Sequence, residues 1–296
     1  MKLMTFKTRQ DGEEKVGVVT SDEQGVVAVE ELGLPYATMH QLIDEAGPRQ
    51  MALLGQAAEQ AGEKAIPLGQ VIRLAPIPRP AQDVICLGIN YMAHAEESAR
   101  YKKEAFGGER SKAIYFSKRV NRAVGDGEPI PSHAPLVDSL DYEAELAVIL
   151  KKDAVNVAAA DAYDYIFGYT VLNDVSARNL QTAHKQWYFG KSLDGFCPMG
   201  PWIVTADEIA APPVLGIQSR VNGELRQNSS TALLIFDIAH VVSELSQGMT
   251  LKAGAIIAMG TPAGVGMGFE PPRFLQPGDV VECSIEKIGT LRNRVE

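Results

Sequence analysis

Hydrophobic positions in this chain fall mostly into short runs of strand length, and only a few segments carry them at helical spacing. Over residues 1–76, such runs at 2–6, 15–19 and 25–29 are separated by turn signals at Asp11-Gly12 and 22–25. Helical spacing appears at about 38–46 and 50–62. The stretch Ala75-Pro76-Ile77-Pro78-Arg79-Pro80 lacks the usual backbone donors and favours extended backbone. It places a boundary between a small N-terminal α+β domain, 1–76, and a larger domain, 77–296.

Beyond that boundary the pattern predicts strands at 83–87, 113–117, 141–150, 167–172, 254–259 and 279–285. Helices are expected at 91–101, with Asn90 as its cap, and at 158–164, 176–184 and 238–246. Val221-Asn222-Gly223-Glu224 marks a hairpin turn. A charged, glycine-containing stretch at 102–111 reads as a mobile loop, and 122–138, rich in Pro, Gly and Asp, as a long one. No internal repeat is present. Strands outnumber helices, so the class is β-rich α+β rather than doubly wound.

Composition narrows the field. With 296 residues, 46% hydrophobic and 22% charged, the chain is an ordinary globular protein with room for a sizeable core. A net charge of -9 without a Lys/Arg-dense stripe argues against nucleic acid as a partner. Three cysteines, at 86, 197 and 283, lack CxxC spacing, which fits a reducing compartment and disfavours a disulfide framework or structural zinc. No apolar run reaches the roughly 18 residues of a membrane span. The opening segment lacks the apolar core of a signal peptide, so the expectation is a cytoplasmic protein without a membrane partner.

The densest chemistry sits in Asp141-Tyr142-Glu143-Ala144-Glu145, followed by an apolar LAVIL. If this is one strand, Glu143 and Glu145 share a face, with Cα atoms about 7 Å apart. Two buried carboxylates on one face repel and lose hydration unless a cation neutralises them. Two solvated glutamates at a strand end remain the plain alternative. Asp174 follows Asn173 where the buried strand through Val171 and Leu172 ends, a place from which it could also cap the following helix. Together Glu143, Glu145 and Asp174 make an all-oxygen donor set suited to Mg2+ or Mn2+ rather than to zinc.

His94 and Glu97 stand at i and i+3 of the helix after Gly88, so the carboxylate can orient the imidazole as a general base. A surface His–Glu pair is the alternative. Lys191, between aromatic residues and glycines, is a candidate buried cation, or else a snorkelling surface lysine. The segment Met259-Gly260-Thr261-Pro262-Ala263-Gly264 ends a strand in a glycine-rich loop that could hold an anionic group. It lacks the GK[ST] of a phosphate-binding loop.

In this order, GINYMAHAEE, DYEAELAVIL, GYTVLNDVSARNLQ, GKSLDGFCPMGPW, GTPAGVGMGF and PGDVVECSIEKIGTLRN resemble the fumarylacetoacetate hydrolase family from about Asp83 to the end of the chain. HKQWYFGKSLDGFCPMGP with VNGELRQ looks most like a bacterial subgroup that includes acylpyruvate hydrolases and oxaloacetate decarboxylases. The resemblance implies a mixed β-sandwich or roll, usually a homodimer. It implies Mg2+ or Mn2+ on Glu143, Glu145 and Asp174, with His94 and Glu97 as an acid/base dyad and Lys191 supporting both metal site and substrate. Arg178, Gln181, Gly260 and Thr261, with Tyr188 nearby, would line the substrate pocket. Asn179 stands where an acidic residue is usual, Arg119 where proline is frequent, and Asn90 and Tyr91 where some members carry a fourth carboxylate.

The implied reaction is cleavage of a C–C bond in a small 2-oxo acid through a metal-stabilised enolate. Hydrolysis of an acylpyruvate-type 1,3-dicarbonyl leads, ahead of oxaloacetate decarboxylation and hydroxymuconate-type isomerisation. A metabolite-sensing protein without turnover is the non-enzymatic alternative.

Overall fold

A computed structural model describes residues 1–102, 108 and 111–296, so most of the loop read at 102–111 lies outside the described residues. Strands β1 (Lys2–Lys7), β2 (Lys15–Val19) and β3 (Gly25–Ala28) form an antiparallel meander. Helix α1 (Met39–Glu45) starts at a capping box in which Thr38 accepts from the Gln41 N–H and the Gln41 side chain reaches back. Helix α2 (Pro48–Glu59) carries proline in its first turn, where no N–H is missed. Two-residue strands β4 (Ile66–Pro67) and β5 (Ile72–Arg73) pair with β3 and β1.

Then come β6 (Val84–Gly88), α3 (Met92–Lys102), β7 (Ile114–Lys118), β8 (Leu140–Asp141), β9 (Ala144–Leu150) and β10 (Ile166–Asn173). β11 (Ser176–Ala177) precedes α4 (Arg178–Ala183) and α5 (Tyr188–Lys191). β12 (Met199–Thr205), β13 (Gly216–Val221), β14 (Glu224–Ser230), α6 (Ile238–Ser246), β15 (Ile256–Ala258), β16 (Val280–Ile285) and β17 (Gly289–Arg294) complete the described chain.

The large sheet runs β4-β3-β2-β1-β12-β10-β9-β15-β6-β7, antiparallel except for β15 beside β6. A second sheet, β14-β13-β16-β17, packs on one face. The apolar run of β9 serves both faces, as strand alternation requires. Leu146, Val148 and Leu150 join the core shared with Ile217, Val281 and Ile285 of the second sheet. Ala147 and Ile149 join the other core, with Leu42 of α1 and Leu54 of α2. The fold is therefore mixed and β-rich, as expected.

Residues 1–76 continue the same sheet as the rest, because β1 pairs with β12 through Lys2–Val204 and Leu3–Ile203. The predicted Asn222-Gly223 hairpin joins β13 and β14, with both residues in the left-handed region at φ 52 and 81. Two expectations need correction. The strand read at 141–150 is interrupted at Tyr142 and Glu143. The helix read from 176 begins only at Arg178, because Ser176 and Ala177 pair with Asp141 and Leu140. Among the described residues, no helix is long and apolar enough to cross a membrane.

Candidate active site

Glu145 lies in β9 opposite Leu172 of β10, and Asp174 follows directly where β10 ends. Glu143 reaches the same place by a different route from the one its spacing suggested. It sits in the break before β9, where its N–H donates to Asn173 Oδ1 (2.9 Å) and its carbonyl accepts from the Asp174 N–H (2.9 Å). Backbone tethering, not strand alternation, thus aligns it. Glu143, Glu145 and Asp174 are buried, and one carboxylate oxygen from each lies within 4.8 Å of the others.

Such a cluster needs positive charge. Lys191 Nζ lies 2.7 Å from Glu143 Oε2 and 2.7 Å from Asp174 Oδ2. Arg178 places Nη2 at 2.7 Å from Glu143 Oε1 and Nε at 2.9 Å from Asp141 Oδ2. Lys118 Nζ is 2.8 Å from Asp174 Oδ1, and it donates to the carbonyls of Val175 (3.0 Å), Phe196 (2.7 Å) and Lys191. Asp141 is held further by the N–H groups of Gly266 (2.6 Å) and Met267 (3.0 Å). Among the described residues, four carboxylates therefore face three cations.

The deficit falls on Glu145. Among the described residues it has no ion-pair partner, and its Oε2 accepts only the Gly260 N–H at 2.8 Å. Burial first, then the charges of Asp174 and Glu143, push its carboxyl well above the usual range. For Glu143, burial also raises the value, but Lys191 and Arg178 outweigh it and bring the carboxyl down to about 2. Burial alone would lower Lys191, yet Asp174 and Glu143 raise it, so the ammonium stays charged.

The donors fit a divalent cation. All are carboxylate oxygens, which hard cations prefer to the nitrogen and sulfur that zinc favours. Among the described residues, Asp174 Oδ1 is also buried without a hydrogen-bond partner, since Lys118 approaches it outside hydrogen-bond geometry. A buried oxygen in that state has acceptor capacity to give.

His94 and Glu97 are both buried in α3, with His94 Nδ1 2.9 Å from Glu97 Oε2. Glu97 Oε1 accepts the Gly264 N–H at 2.9 Å. The loop passes so close that a Cβ on Gly268 would stand 1.7 Å from Glu97 Oε1. Asn90, read as the helix cap, instead uses its amide on Phe236 and Met259.

A cavity of about 640 Å³ brings His94, Glu143, Glu145 and Lys191 together with Arg178, Gln181 and Thr261. Gln181 Oε1 accepts from Arg178 Nη1 (2.9 Å), which leaves its amide N–H groups for a ligand. The Thr261 hydroxyl is engaged by Ala144 O (2.9 Å) and Gln227 Nε2 (2.7 Å). Gly260 acts on Glu145 through its N–H and does not line the cavity. Nor does Tyr188, 41% exposed, because the single turn of α5 buries Lys191 and turns residue 188 outward; Trp187 takes the cavity position. Lys118, Asp141, Asn173 and Trp187 escaped the sequence reading. Asp141 and Asn173 adjoin the quoted carboxylates, and Lys118 is the unexpected charge ending an apolar strand.

Residues 83–296 match the model for the fumarylacetoacetate (FAA) hydrolase C-terminal family. Oxaloacetate tautomerase YisK of Bacillus subtilis (strain 168) is 46% identical over 237 residues, 80% of this chain and 77% of its own length. The structure of a fumarylacetoacetate hydrolase from psychrophilic Exiguobacterium antarcticum superposes with a TM-score of 0.84 at 39% identity, covering 100% of this chain and 99% of that one. Maleylpyruvate hydrolase from Sphingobium sp. SYK-6, solved with manganese(II) and pyruvate, gives 0.77 at 31% identity, covering 100% and 98%.

Proposed function

The chain belongs to the fumarylacetoacetate hydrolase family, and from that premise we propose that it catalyses divalent-metal-dependent proton transfer on a small 2-oxo dicarboxylic acid of the oxaloacetate class, interconverting keto and enol forms. The observation that carries this reading is one cavity lined by the oriented His94 together with Glu143 and Glu145 of the carboxylate cluster. Glu143, Glu145 and Asp174 would hold Mg2+ or Mn2+. When bound, that cation supplies Lewis acidity toward a 2-oxo group and so lowers the barrier to removing the neighbouring C–H proton.

The chain's own groups do the rest. Glu97 fixes His94 through Nδ1 and leaves Nε2 to take the proton from the carbon beside the oxo group and, in reverse, to return it there. Lys191 and Arg178 keep Glu143 ionised and aligned, and Lys191 also holds the Asp174 carboxylate in place. The Gln181 amide is placed to hold a substrate carboxylate.

The sequence put hydrolytic C–C cleavage first. The similarity to a tautomerase brings forward proton transfer without bond cleavage. Hydrolysis stays as a second reading, favoured by the likeness to maleylpyruvate hydrolase; there His94 would deprotonate water instead. The decisive assay follows the enol absorbance of oxaloacetate with Mg2+ or Mn2+ and with EDTA. Acceleration that vanishes on chelation is expected. A rate unchanged by the protein with either metal, or one that survives complete chelation, overturns the proposal. Pyruvate release from acylpyruvates in a parallel assay would put hydrolysis first. Ligand binding with no turnover, equal in wild type and His94→Ala, would point to a sensor.

A further inference from the structure

One wall of the cavity is aromatic and leads from its buried floor toward its mouth. Lys191 Nζ stands 5.3 Å from the centroid of the Phe116 ring. The Trp187 indole meets that ring edge-on, with centroids 5.2 Å apart and planes at 68°. Lys102 Nζ in turn lies 5.6 Å from the Trp187 ring. The wall thus has an ammonium at each end, the inner one buried and the outer one exposed. Lys185, also exposed, lines the same cavity.

The indole occupies this place because residue 88 has no side chain. A Cβ there would stand 2.3 Å from Trp187 Cζ3 and 2.8 Å from Cη2, both atoms of a rigid ring. Gly88 ends β6 and Phe116 belongs to β7, its partner, so two paired strands seat the ring. A ring so fixed, half-buried and facing a cavity, acts as a stop rather than as a flexible neighbour.

The geometry points to Trp187 as a specificity-determining residue that limits the length of the substrate's distal arm, with Lys102 and Lys185 pairing a carboxylate at the end of that arm. The inference rests on the proposed binding of a 2-oxo acid at the carboxylate cluster and adds its second anionic end. The ligand class is then a short 2-oxo dicarboxylate, since a neutral arm would leave the outer ammonium groups unused and a longer one would meet the indole.

The test titrates the full chain, saturated with Mg2+, calorimetrically with matched pairs: oxaloacetate against 2-oxobutyrate, and 2-oxoglutarate against 2-oxopentanoate. Each pair shares its carbon count and differs in the terminal carboxylate. Wild type should bind the diacid of each pair roughly tenfold or more tightly, the scale of one charge-assisted contact. Lys102→Met with Lys185→Met should remove that ratio and leave the methyl-ended ligands unchanged. Trp187→Ala should shift preference from oxaloacetate toward 2-oxoadipate by roughly tenfold or more per added methylene. Trp187→Phe should fall between, and thermal melts establish that each variant is folded. If wild type binds no member of either pair, the reading of the site fails and this inference with it. If it binds both members of each pair equally, the site reading stands and the distal carboxylate contact is overturned. An unchanged length preference in Trp187→Ala overturns the role of the indole.

Discussion

Lys118 Nζ stands 2.8 Å from Asp174 Oδ1, and both side chains are wholly excluded from solvent. Three backbone carbonyls also accept from the same ammonium. Removing one member of a buried pair leaves the other charge uncompensated, at about 3–5 kcal/mol. Lys118→Met should therefore lower the melting temperature by roughly 5–8 °C. Adding Asp174→Asn should recover part of the loss. Calorimetric melts of both single variants and the double variant check this; strictly additive losses would show that the two side chains are not coupled.

Glu145 gives stability a pH dependence of defined sign. Its carboxyl is raised in the folded state by burial and then by Asp174 and Glu143, so it holds its proton to higher pH than in the unfolded chain. The stability it contributes is complete below the unfolded value and is lost as pH rises through the folded value. Metal-free protein should melt lower as pH is raised across that range, and Glu145→Gln should flatten the fall. The same variant should lose most Mg2+ affinity by calorimetric titration. Wild-type affinity retained by the Gln variant would remove Glu145 from the metal site.

His94→Ala should reduce kcat by about 10²–10⁴, the usual worth of a positioned general base. Metal affinity should stay as in wild type, because His94 is outside the donor set. Glu97→Gln should be milder, since the amide still reaches Nδ1 but no longer supports an imidazolium. Steady-state kinetics beside Mg2+ titration checks both; a shared loss of metal binding would mean that the helix had shifted.

Gly268→Ala makes a sharper test of how Glu97 is positioned. The added methyl would overlap Glu97 Oε1 at 1.7 Å, so the carboxylate must leave its place. Activity should fall about as far as in Glu97→Ala, and metal binding should persist. Activity near wild type would show that the carboxylate relocates without consequence.

Much of the site was legible because its chemistry is local. The i, i+3 spacing of His94 and Glu97 survives in α3 as a direct hydrogen bond. The two-sided apolar run after Glu145 became a strand buried on both faces. Glu143 converges for a reason no periodicity contains: the Asn173 side chain and the Asp174 N–H hold it in a strand break. Lys118 was passed over because its partner Asp174 lies far along the chain, and only folding makes the lysine buried.

β12 was missed for a different reason. It holds Pro201, a residue that central strands rarely accept. The chain accommodates it with a register shift, Tyr169 pairing with Val204 but Val171 with Gly200, while Thr170 reaches across to Trp202 O (2.8 Å). Trp187 rather than Tyr188 faces the cavity because insertion of Lys191 sets the rotation of a single helical turn, which spacing alone does not fix.

The pairing of β1 with β12 makes the family-matching region a poor candidate for excision. A fragment starting at residue 77 would expose the backbone of β12 along a raw margin and uncover the apolar side chain of Ile203, a template for fibrillar self-association. Grafting a foreign leader onto that fragment would rescue it only if the newcomer supplied a strand in matching alignment.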